Sequence, residues 1–237
     1  GDSFGNGTGE VSIHGIITDA VSNERVEDAK VYWVDGEDVL SIQSDELGYY
    51  IIGKLLSGSK YELTLKKDAF ATMNSLVDLT NLSLAETNRT YNMILYPLTS
   101  SVHGIVYKKI DTIGVNIELA ANVSVIADFT DPSSIESFSP NQYTTLTNSN
   151  GEYTFSNLPS TASVNLKTLP YYSNGYNFSV QTKTVSLSPN MTVEVDNIIL
   201  PLDVLLPFVV ENTFDYGNII DVDDNIVITF STIMDDA

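Results

Sequence analysis

The 237-residue sequence has no cysteine, two histidines and one tryptophan. Without cysteine, disulfide bonds, thiol catalysis and zinc–thiolate sites are all excluded. Long apolar runs are missing too, because the stretch from Ile198 to Val210 is interrupted by Pro201, Asp203 and Pro207. That stretch is too short to cross a bilayer as a helix. The sequence therefore predicts a protein that does not span a membrane.

Positive charge is scarce: 11 Lys and Arg stand against 31 Asp and Glu, a formal net charge of −20. Nucleic acids and anionic membrane faces repel such a surface, so we expect no nucleic-acid partner. Apolar residues make up 43% of the chain, which is enough to build folded cores. The length allows two domains of ordinary size and part of another.

An internal repeat organises what is present, and the two histidines mark it. Ser-Ile-His-Gly at residues 12–15 returns as Ser-Val-His-Gly at residues 101–104. Later segments match as well, and each copy closes on an apolar run that ends in proline, at Pro97 and Pro201. A period of about one hundred residues is the size of a domain, so the sequence predicts a tandem duplication rather than a solenoid.

Both copies have the pattern of short β-strands. Tyr61, Leu63 and Leu65 alternate with polar residues, which predicts a strand with these three side chains in a core. Seven such strands separated by turn residues predict a β-sandwich in each copy. We expect the first copy at residues 11–97 and the second at residues 98–201.

The order of these motifs resembles the carboxypeptidase regulatory-like domains. The resemblance is carried by Asp-Ala-Lys-Val at residues 28–31, Asp-Glu-Leu-Gly-Tyr-Tyr at residues 45–50 and Tyr-Glu-Leu at residues 61–63. It implies a transthyretin-like seven-stranded sandwich, used as a spacer, accessory module or adhesin stalk, without catalytic residues. The second copy holds about eleven more residues between Val123 and Gly151. Insertions of this kind are where a scaffold acquires a function of its own.

Residues 202–237 do not continue the repeat, and they resemble the opening of a bacterial immunoglobulin-like domain. This resemblance implies a partial hairpin, which either belongs to a third domain that is cut or leans on the second copy. Carboxylates at Asp221, Asp223 and Asp224 are of the type that binds Ca²⁺. The glycine and distal glutamate of a calcium-binding EF-hand loop are missing, however, so a solvated acidic turn is the favoured interpretation. No other cofactor is predicted.

The N-terminal residues 1–10 are rich in Gly, Asn, Ser and Asp, which predicts a flexible tether. We interpret it as the stem of an exported protein at the cell surface, either outer-membrane-anchored or periplasmic, with a lipid anchor as in a lipoprotein. The proline-bearing junctions near Pro97 and Pro201 lack the Gly/Ser composition of flexible linkers, so they predict a stiff rod.

Three tyrosines form the main candidate binding site. Tyr171, Tyr172 and Tyr176 surround a Ser-Asn-Gly turn, where exposed rings would stack on sugars or anchor a protein partner. The alternative is packing, because Tyr176 and Phe178 alternate like core residues. His14 is followed by a glycine within a strand, as is its counterpart in the second copy, so we predict a structural role for both histidines.

Two functions remain open at this point. The first is a non-enzymatic, exported cell-surface module that acts as a rigid stalk or as an adhesion domain. The second is a carbohydrate-binding accessory module of a surface polysaccharide-uptake or hydrolase system. The expected partner is a protein or a glycan at the cell surface, and exposed coplanar tyrosines would favour the glycan.

Overall fold

The computed structural model describes residues 9–82, 87–111 and 116–203, together with the backbone of Val209–Asn212 and Ile228–Phe230. The described part of the chain contains β-strands and no helix. We call residues 11–97 repeat 1 and residues 98–201 repeat 2. No helix in the described part has the length and apolar character needed to cross a membrane.

The strands of repeat 1 are β1 (Glu10–Asp19), β2 (Lys30–Asp35), β3 (Asp38–Gln43), β4 (Tyr49–Leu56), β5 (Lys60–Lys66), β6 (Thr72–Asp78), β7 (Asn88–Thr90) and β8 (Met93–Leu95). The strands of repeat 2 are β9 (Ser100–Lys109), β10 (Ile117–Leu119), β11 (Ser124–Asp128), β12 (Glu136–Ser139), β13 (Gln142–Leu146), β14 (Glu152–Leu158), β15 (Ser163–Thr168), β16 (Tyr171–Ser173), β17 (Tyr176–Phe178), β18 (Thr182–Ser186), β19 (Thr192–Glu194) and β20 (Ile198–Leu200). A separate antiparallel pair consists of β21 (Val209–Asn212) and β22 (Ile228–Phe230).

Repeat 1 is a two-layer sandwich. One sheet has β1 at its centre, with β4 antiparallel on one side and β7 and β8 parallel on the other. Because β7 and β8 lie one after the other along β1, they act as one interrupted strand, which gives the predicted seven. The facing sheet has the order β6-β5-β2-β3.

Repeat 2 has the same arrangement with one further strand, β10, which pairs antiparallel with the end of β9. Its first sheet places β14 antiparallel to β9, with β19 and β20 parallel to β9 on the other side. Its second sheet has the order β18-β15-β11-β13, which matches β6-β5-β2-β3 strand for strand. His14 pairs with Thr90 on β7, and His103 pairs with Glu194 on β19, so the two histidines occupy equivalent positions. The all-β class with tandem sandwiches, predicted from the sequence, is confirmed.

Each sandwich encloses its own core, because alternate strand residues turn their apolar side chains between the sheets. The core of repeat 1 includes Leu63 and Leu65, which are 0% and 1% exposed, and Tyr61 at 7%. These are the three residues whose alternation predicted this strand. The core of repeat 2 is built by the corresponding strands, with Val164 and Leu166 of β15 at 1% and 0%.

A buried hydroxyl fixes the same corner in both repeats. The Ser44 hydroxyl accepts a hydrogen bond from the Ala29 amide (3.0 Å) and donates to the Val26 carbonyl (2.7 Å). In repeat 2, Thr147 Oγ1 takes this place between the Val123 amide (2.9 Å) and the Ala120 carbonyl (2.6 Å). Each hydroxyl satisfies one donor and one acceptor that the sandwich would otherwise bury without a partner.

The turn that follows is also shared. Asp45 Oδ1 accepts the amides of Leu47 (2.9 Å) and Tyr49 (2.8 Å), and Asn148 does the same in repeat 2. Gly48 adopts φ 68° in this turn, where a Cβ would also lie 2.8 Å from a backbone oxygen of β1. Glycine is therefore required there, and Gly151 adopts φ 70° at the same place in repeat 2.

Candidate functional site

The insertion in repeat 2 contains a strand that leaves its own domain. We call residues 129–141, between β11 and β13, the strap. Its strand β12 pairs antiparallel with β6 of repeat 1, from Glu136 opposite Ser75 to Ser139 opposite Thr72. The second sheet of repeat 1 therefore has five strands, and the fifth comes from the other repeat.

The strap covers a sheet edge that repeat 1 alone would leave open. The register of β5 and β6 turns the amides of Thr72, Asn74 and Leu76 away from β5. Of these, the Leu76 amide donates to the Ile135 carbonyl at 3.2 Å. An open edge presents unpaired backbone groups to water and to other chains. The strap closes the edge and joins the two domains through the same hydrogen bonds.

Phe138 fixes the strap by packing against both cores. Its ring meets Tyr96 of repeat 1 edge-on, at 5.1 Å between centroids, and Phe129 of repeat 2 at 5.4 Å. Edge-to-face pairs of this kind stabilise by about 0.5–1.5 kcal/mol each beyond the area that they bury. One side chain of the insertion thus bridges the two hydrophobic cores.

The linker between the two repeats, residues 96–99, forms hydrogen bonds with both of them. Residues 69–71 bond to residues 96–98 through two backbone hydrogen bonds of 2.9 Å. From repeat 2, the Ser160 amide donates to the Pro97 carbonyl (2.9 Å), and the Ser160 hydroxyl lies 2.7 Å from that of Thr99. The backbone groups of this linker are therefore engaged by protein rather than by water, as expected for a docked junction and not for a flexible one.

A cleft of about 490 Å³ lies beside the strap, between Met73 and Tyr96 on one side and repeat 2 on the other. Asp128, Asp131 and Glu136 line it, and no Lys or Arg does. Hydrogen bonds from the side chain and backbone of Thr130 lower the pKa of Asp128. Bonds from Ser133 lower the pKa of Asp131 in the same way. Asp128 and Asp131 are therefore ionised at neutral pH, and their hydrogen bonds shape the start of the strap.

Glu136 connects the strap with two tyrosines of repeat 1. The Tyr91 hydroxyl donates to Glu136 Oε1 at 3.3 Å. Burial raises the pKa of Tyr96, and the nearby Glu136 carboxylate raises it further. Both hydroxyls therefore stay protonated at neutral pH and are suited to donate hydrogen bonds. The arrangement has the character of a structural junction rather than of a reaction centre.

The predicted tyrosine site forms a β-hairpin, β16–β17, which we call the tyrosine hairpin. Tyr171 is half-buried: its hydroxyl donates to the Ala121 carbonyl (2.9 Å), and its ring packs on Phe178. Tyr172 and Tyr176 are 67% and 48% exposed. The expectation from alternation is right for Phe178, which is 3% exposed, and wrong for Tyr176.

The two exposed rings do not share a face of the hairpin. Tyr176 pairs with Ser173, whereas Tyr172 is the neighbour of Ser173 along the strand and pairs with Asn177. Because successive strand residues point to opposite faces, Tyr172 and Tyr176 point in opposite directions. They cannot form one flat platform, so the binding role of the three tyrosines stays a prediction.

A buried lysine, which the sequence reasoning missed, anchors the hairpin. Lys108 is 7% exposed, and its Nζ donates to the Ser173 hydroxyl at 3.0 Å. The Glu118 carboxylate lies 3.4 Å from the same nitrogen. The alternation of β9 contained the signal, since Val102, Val106 and Lys108 all fall on its inward face.

The histidines lie in exposed or half-buried surroundings on the outer faces of their sheets. His14 Nε2 is 3.2 Å from the Thr90 hydroxyl, and its ring is tilted against Tyr49. His103 Nδ1 is 2.7 Å from Glu194 Oε2. Each histidine thus contacts its cross-strand partner. Among the contacts described, His14 has a hydroxyl but no carboxylate and His103 has a carboxylate but no hydroxyl, so neither assembles a catalytic triad.

The predicted calcium ligands Asp221, Asp223 and Asp224 lie outside the described residues. Within the described ranges, no three His, Cys, Asp or Glu side chains are grouped so that they could hold a metal ion. The calcium assignment therefore stays a prediction from the sequence.

Comparison with known proteins gives a limited result. No family model matches the chain, and no curated protein matches it. Among solved structures, it is similar to GBS52, the minor pilin of Streptococcus agalactiae, with TM-score 0.43 and 15% identity over 85% of this chain and 99% of that one. The Streptococcal ancillary pilin gives 0.42 and 12%, over 83% and 63%.

A third structure, the Bacillus anthracis TIE protein, has TM-score 0.33 and 12% identity, and covers 81% of this chain. The chain spans 34% of the length of that protein. At such identities and TM-scores, we base neither the fold nor the function on these similarities.

Proposed function

We propose that this chain is a non-catalytic module of an exported cell-surface protein, in which two joined sandwiches form a rigid stalk or an adhesion domain. The supporting observation is the pairing of β12 with β6 across the domain boundary. Domains joined only by a linker swing relative to each other. A shared sheet removes that freedom, because rotation would break backbone hydrogen bonds and separate Phe138 from one of its two cores.

The same proposal includes the finer features that the sequence predicted. These are the carboxypeptidase regulatory-like identity of both repeats, an immunoglobulin-like continuation after repeat 2, and an N-terminal lipid anchor at the cell surface. The protein partner would be another surface molecule, held at a fixed distance by the stalk. Each of these features stays a proposal.

The test measures the distribution of distances between the repeats. Because the chain has no cysteine, spin labels attach only where cysteines are introduced, for example at the exposed residues Ser41 and Ser156. We expect double electron–electron resonance spectroscopy to give one narrow distribution of the distance between the two spin labels. In Ser137→Pro the backbone N–H that faces Asn74 is lost and the distribution broadens. Ser137→Ala keeps that N–H and is the matched control.

A broad distribution in the parent chain would refute the stalk. An unchanged distribution in Ser137→Pro would show that the strap does not hold the repeats together. Amide exchange in β9 and β14, which are remote from the strap pairing, reports whether both variants remain folded.

A carbohydrate-binding function is supported by one observation, the exposure of Tyr172 and Tyr176. Sugar rings stack on exposed aromatic faces. The opposite orientation of the two rings limits each to a separate contact, so the expected affinity is low. A glycan array probed with the parent chain and with Tyr172→Ala tests it: binding that survives the substitution argues against this site.

A further inference from the structure

The chain leaves both repeats in the same way. At the end of repeat 1, residues 69–71 bond to residues 96–98. At the end of repeat 2, the Ser179 amide donates to the Pro201 carbonyl (2.9 Å) and the Asp203 amide to the Asn177 carbonyl (2.8 Å). In both cases the exit is bonded to the segment that precedes an edge strand along the chain, β6 in repeat 1 and β18 in repeat 2. The next residues along the chain are thus delivered to equivalent places.

The two edge strands differ in what covers them. The Thr168 amide donates to the Gln181 carbonyl, and the Leu187 amide donates to the Ala162 carbonyl. In this register of β15 and β18, the amides of Thr182, Thr184 and Ser186 point away from β15. Thr182 and Thr184 correspond to Asn74 and Leu76 of β6, whose amides face the strap. Among the described strands, none pairs with this side of β18. Repeat 2 therefore presents the edge that the strap closes in repeat 1.

A groove accompanies this open edge. It has a volume of about 310 Å³ and runs between β18 and the segment Glu194–Asp196. In repeat 1 the corresponding space, between β6 and Tyr91, contains β12 with Glu136. The groove is thus the place that a strand occupies in the other copy of the same fold.

The side chains of the groove already have partners. Lys183 Nζ donates to the Asp196 carbonyl (2.7 Å), and the Thr184 hydroxyl donates to Asn165 Oδ1 (2.7 Å). Glu194 is bonded to His103. The outward N–H and C=O groups of β18 remain available for hydrogen bonding. Such a row of backbone groups favours an added β-strand over a small polar ligand.

From these observations we infer that the pair β21–β22, which forms a separate sheet in the structure, docks on repeat 2 in solution by adding a strand to β18, in the way that β12 adds to β6. The inference rests on the proposed function, because it extends the same shared-sheet joint to the next segment. A strand that begins at Val209 is six residues from Asp203, a reach of up to about 20 Å. A two-stranded hairpin such as β21–β22 is only marginally stable alone, so an added sheet edge stabilises it.

The tyrosine hairpin frames this seat. Phe178 at its base bridges to Leu202, so the hairpin stands directly beside the exit of the chain. Tyr172 and Tyr176 present aromatic surface there, as Tyr96 and Phe138 do at the first junction. Because the two rings point to opposite faces of the hairpin, an intrachain partner at this seat accounts for the exposure of one of them without any glycan.

The experiment is amide hydrogen exchange by NMR on the full chain. We expect Thr182, Thr184 and Ser186 to exchange at least about tenfold more slowly than unpaired edge amides, and similarly to Thr72, Asn74 and Leu76 of β6. Fast exchange on β18 with slow exchange on β6 overturns the docking and leaves the stalk intact. Fast exchange on both strands would instead refute the strap, and with it the proposed function.

Two substitutions identify the occupant. Thr184→Pro removes the outward N–H of an edge strand, a position where proline is tolerated, whereas Thr184→Val removes only the hydroxyl. With Thr184→Pro we expect exchange in Val209–Asn212 and Ile228–Phe230 to accelerate at least about tenfold, and no change with Thr184→Val. If Thr184→Pro leaves these amides unchanged, β21 and β22 do not pair with β18 and the inference is wrong. If protection of β18 is lost on dilution, a second copy covers the edge and the inference is wrong as well. Unchanged exchange in β9 confirms that the variants are folded.

Discussion

Repeat 1 and repeat 2 have one scaffold and differ at their joints. The residues that they share bond to backbone groups inside the sandwich: Ser44 and Thr147 at the corner, Asp45 and Asn148 in the turn. The residues that differ lie where each repeat meets the rest of the chain. Repeat 2 carries the strap and the tyrosine hairpin, and repeat 1 has neither. The duplication has therefore kept what satisfies buried polar groups and varied what joins domains.

One buried pair departs from this rule. Tyr50 donates its hydroxyl proton to the Tyr91 carbonyl at 2.6 Å, whereas the hydroxyl of the equivalent Tyr153 is buried without a hydrogen-bond partner. The cause is local. Two residues separate β7 from β8, but three separate β19 from β20, so the extra residue displaces the acceptor.

The largest expected effect concerns the glycine that follows each histidine, where the same substitution should destabilise the two repeats to different extents. A Cβ on Gly15 would overlap the backbone carbonyl oxygen of Tyr91, while a Cβ on Gly104 would lie 2.5 Å from the Tyr153 hydroxyl. Gly15→Ala should therefore destabilise repeat 1 by about 3 kcal/mol or more, and Gly104→Ala should cost less, because a side chain yields more easily than backbone. Urea unfolding tests this, with Trp33 fluorescence for repeat 1 and resolved amide signals for repeat 2. Equal losses would contradict it.

A smaller effect is expected at the buried hydroxyl of the shared corner. It tests whether this hydroxyl contributes equally to the free energy of unfolding of the two repeats. Ser44→Ala and Thr147→Val each leave a buried amide and a buried carbonyl without their partner. We expect each to destabilise its own repeat by about 2 kcal/mol. Ser41→Ala, at an exposed position of β3, is the control. A loss in one repeat only would show that the corner is not equivalent.

The smallest effect sharpens the difference between the tyrosines. Tyr50→Phe removes a made hydrogen bond and should cost about 1 kcal/mol, whereas Tyr153→Phe removes an unpaired buried hydroxyl and should be neutral or stabilising. Unfolding of both variants against the parent measures this. A cost for Tyr153→Phe similar to that for Tyr50→Phe would mean that the hydroxyl has a partner in solution.

Both tyrosines also make the protein sensitive to alkali. Burial raises the pKa of Tyr50 and of Tyr153 well above the ordinary tyrosine value. For each tyrosine the pKa in the folded state lies above the pKa in the unfolded state. The stability that comes from burying the protonated hydroxyl is therefore fully present below about pH 10 and is lost as the pH rises beyond it. The double Phe variant should lose less stability than the parent between neutral pH and pH 11, which melting curves would reveal.

The sequence predicted the sandwiches well because their strands encode burial in a period of two. Leu63 and Leu65 alternate with polar residues, and the alternation alone placed them in the core. Gly48 is likewise a local signal, since the positive φ of its turn restricts the choice of residue. These features depend on neighbours within a few positions, so a single sequence contains them.

The strap could not be predicted in the same way. Glu136–Ser139 has one apolar residue, Phe138, and its partner strand β6 lies about sixty residues earlier, in another domain. The insertion was visible from the sequence, but its pairing depends on where the linker directs repeat 2. The tyrosines were ambiguous for a related reason: the turn at Asn174–Gly175 decides which rings point outward.

In each repeat, the first strand runs parallel to the last one, β1 with β8 and β9 with β20. The chain therefore enters a repeat at one pole and leaves at the other. A pull on the two ends acts along these neighbouring strands in opposite directions, so the hydrogen bonds between them are loaded in shear and must fail together. Had the strands been antiparallel, both ends would lie at one pole and the bonds would open one after another, like a zipper. The duplication thus places two such shear-loaded units in series, with the strap resisting separation between them.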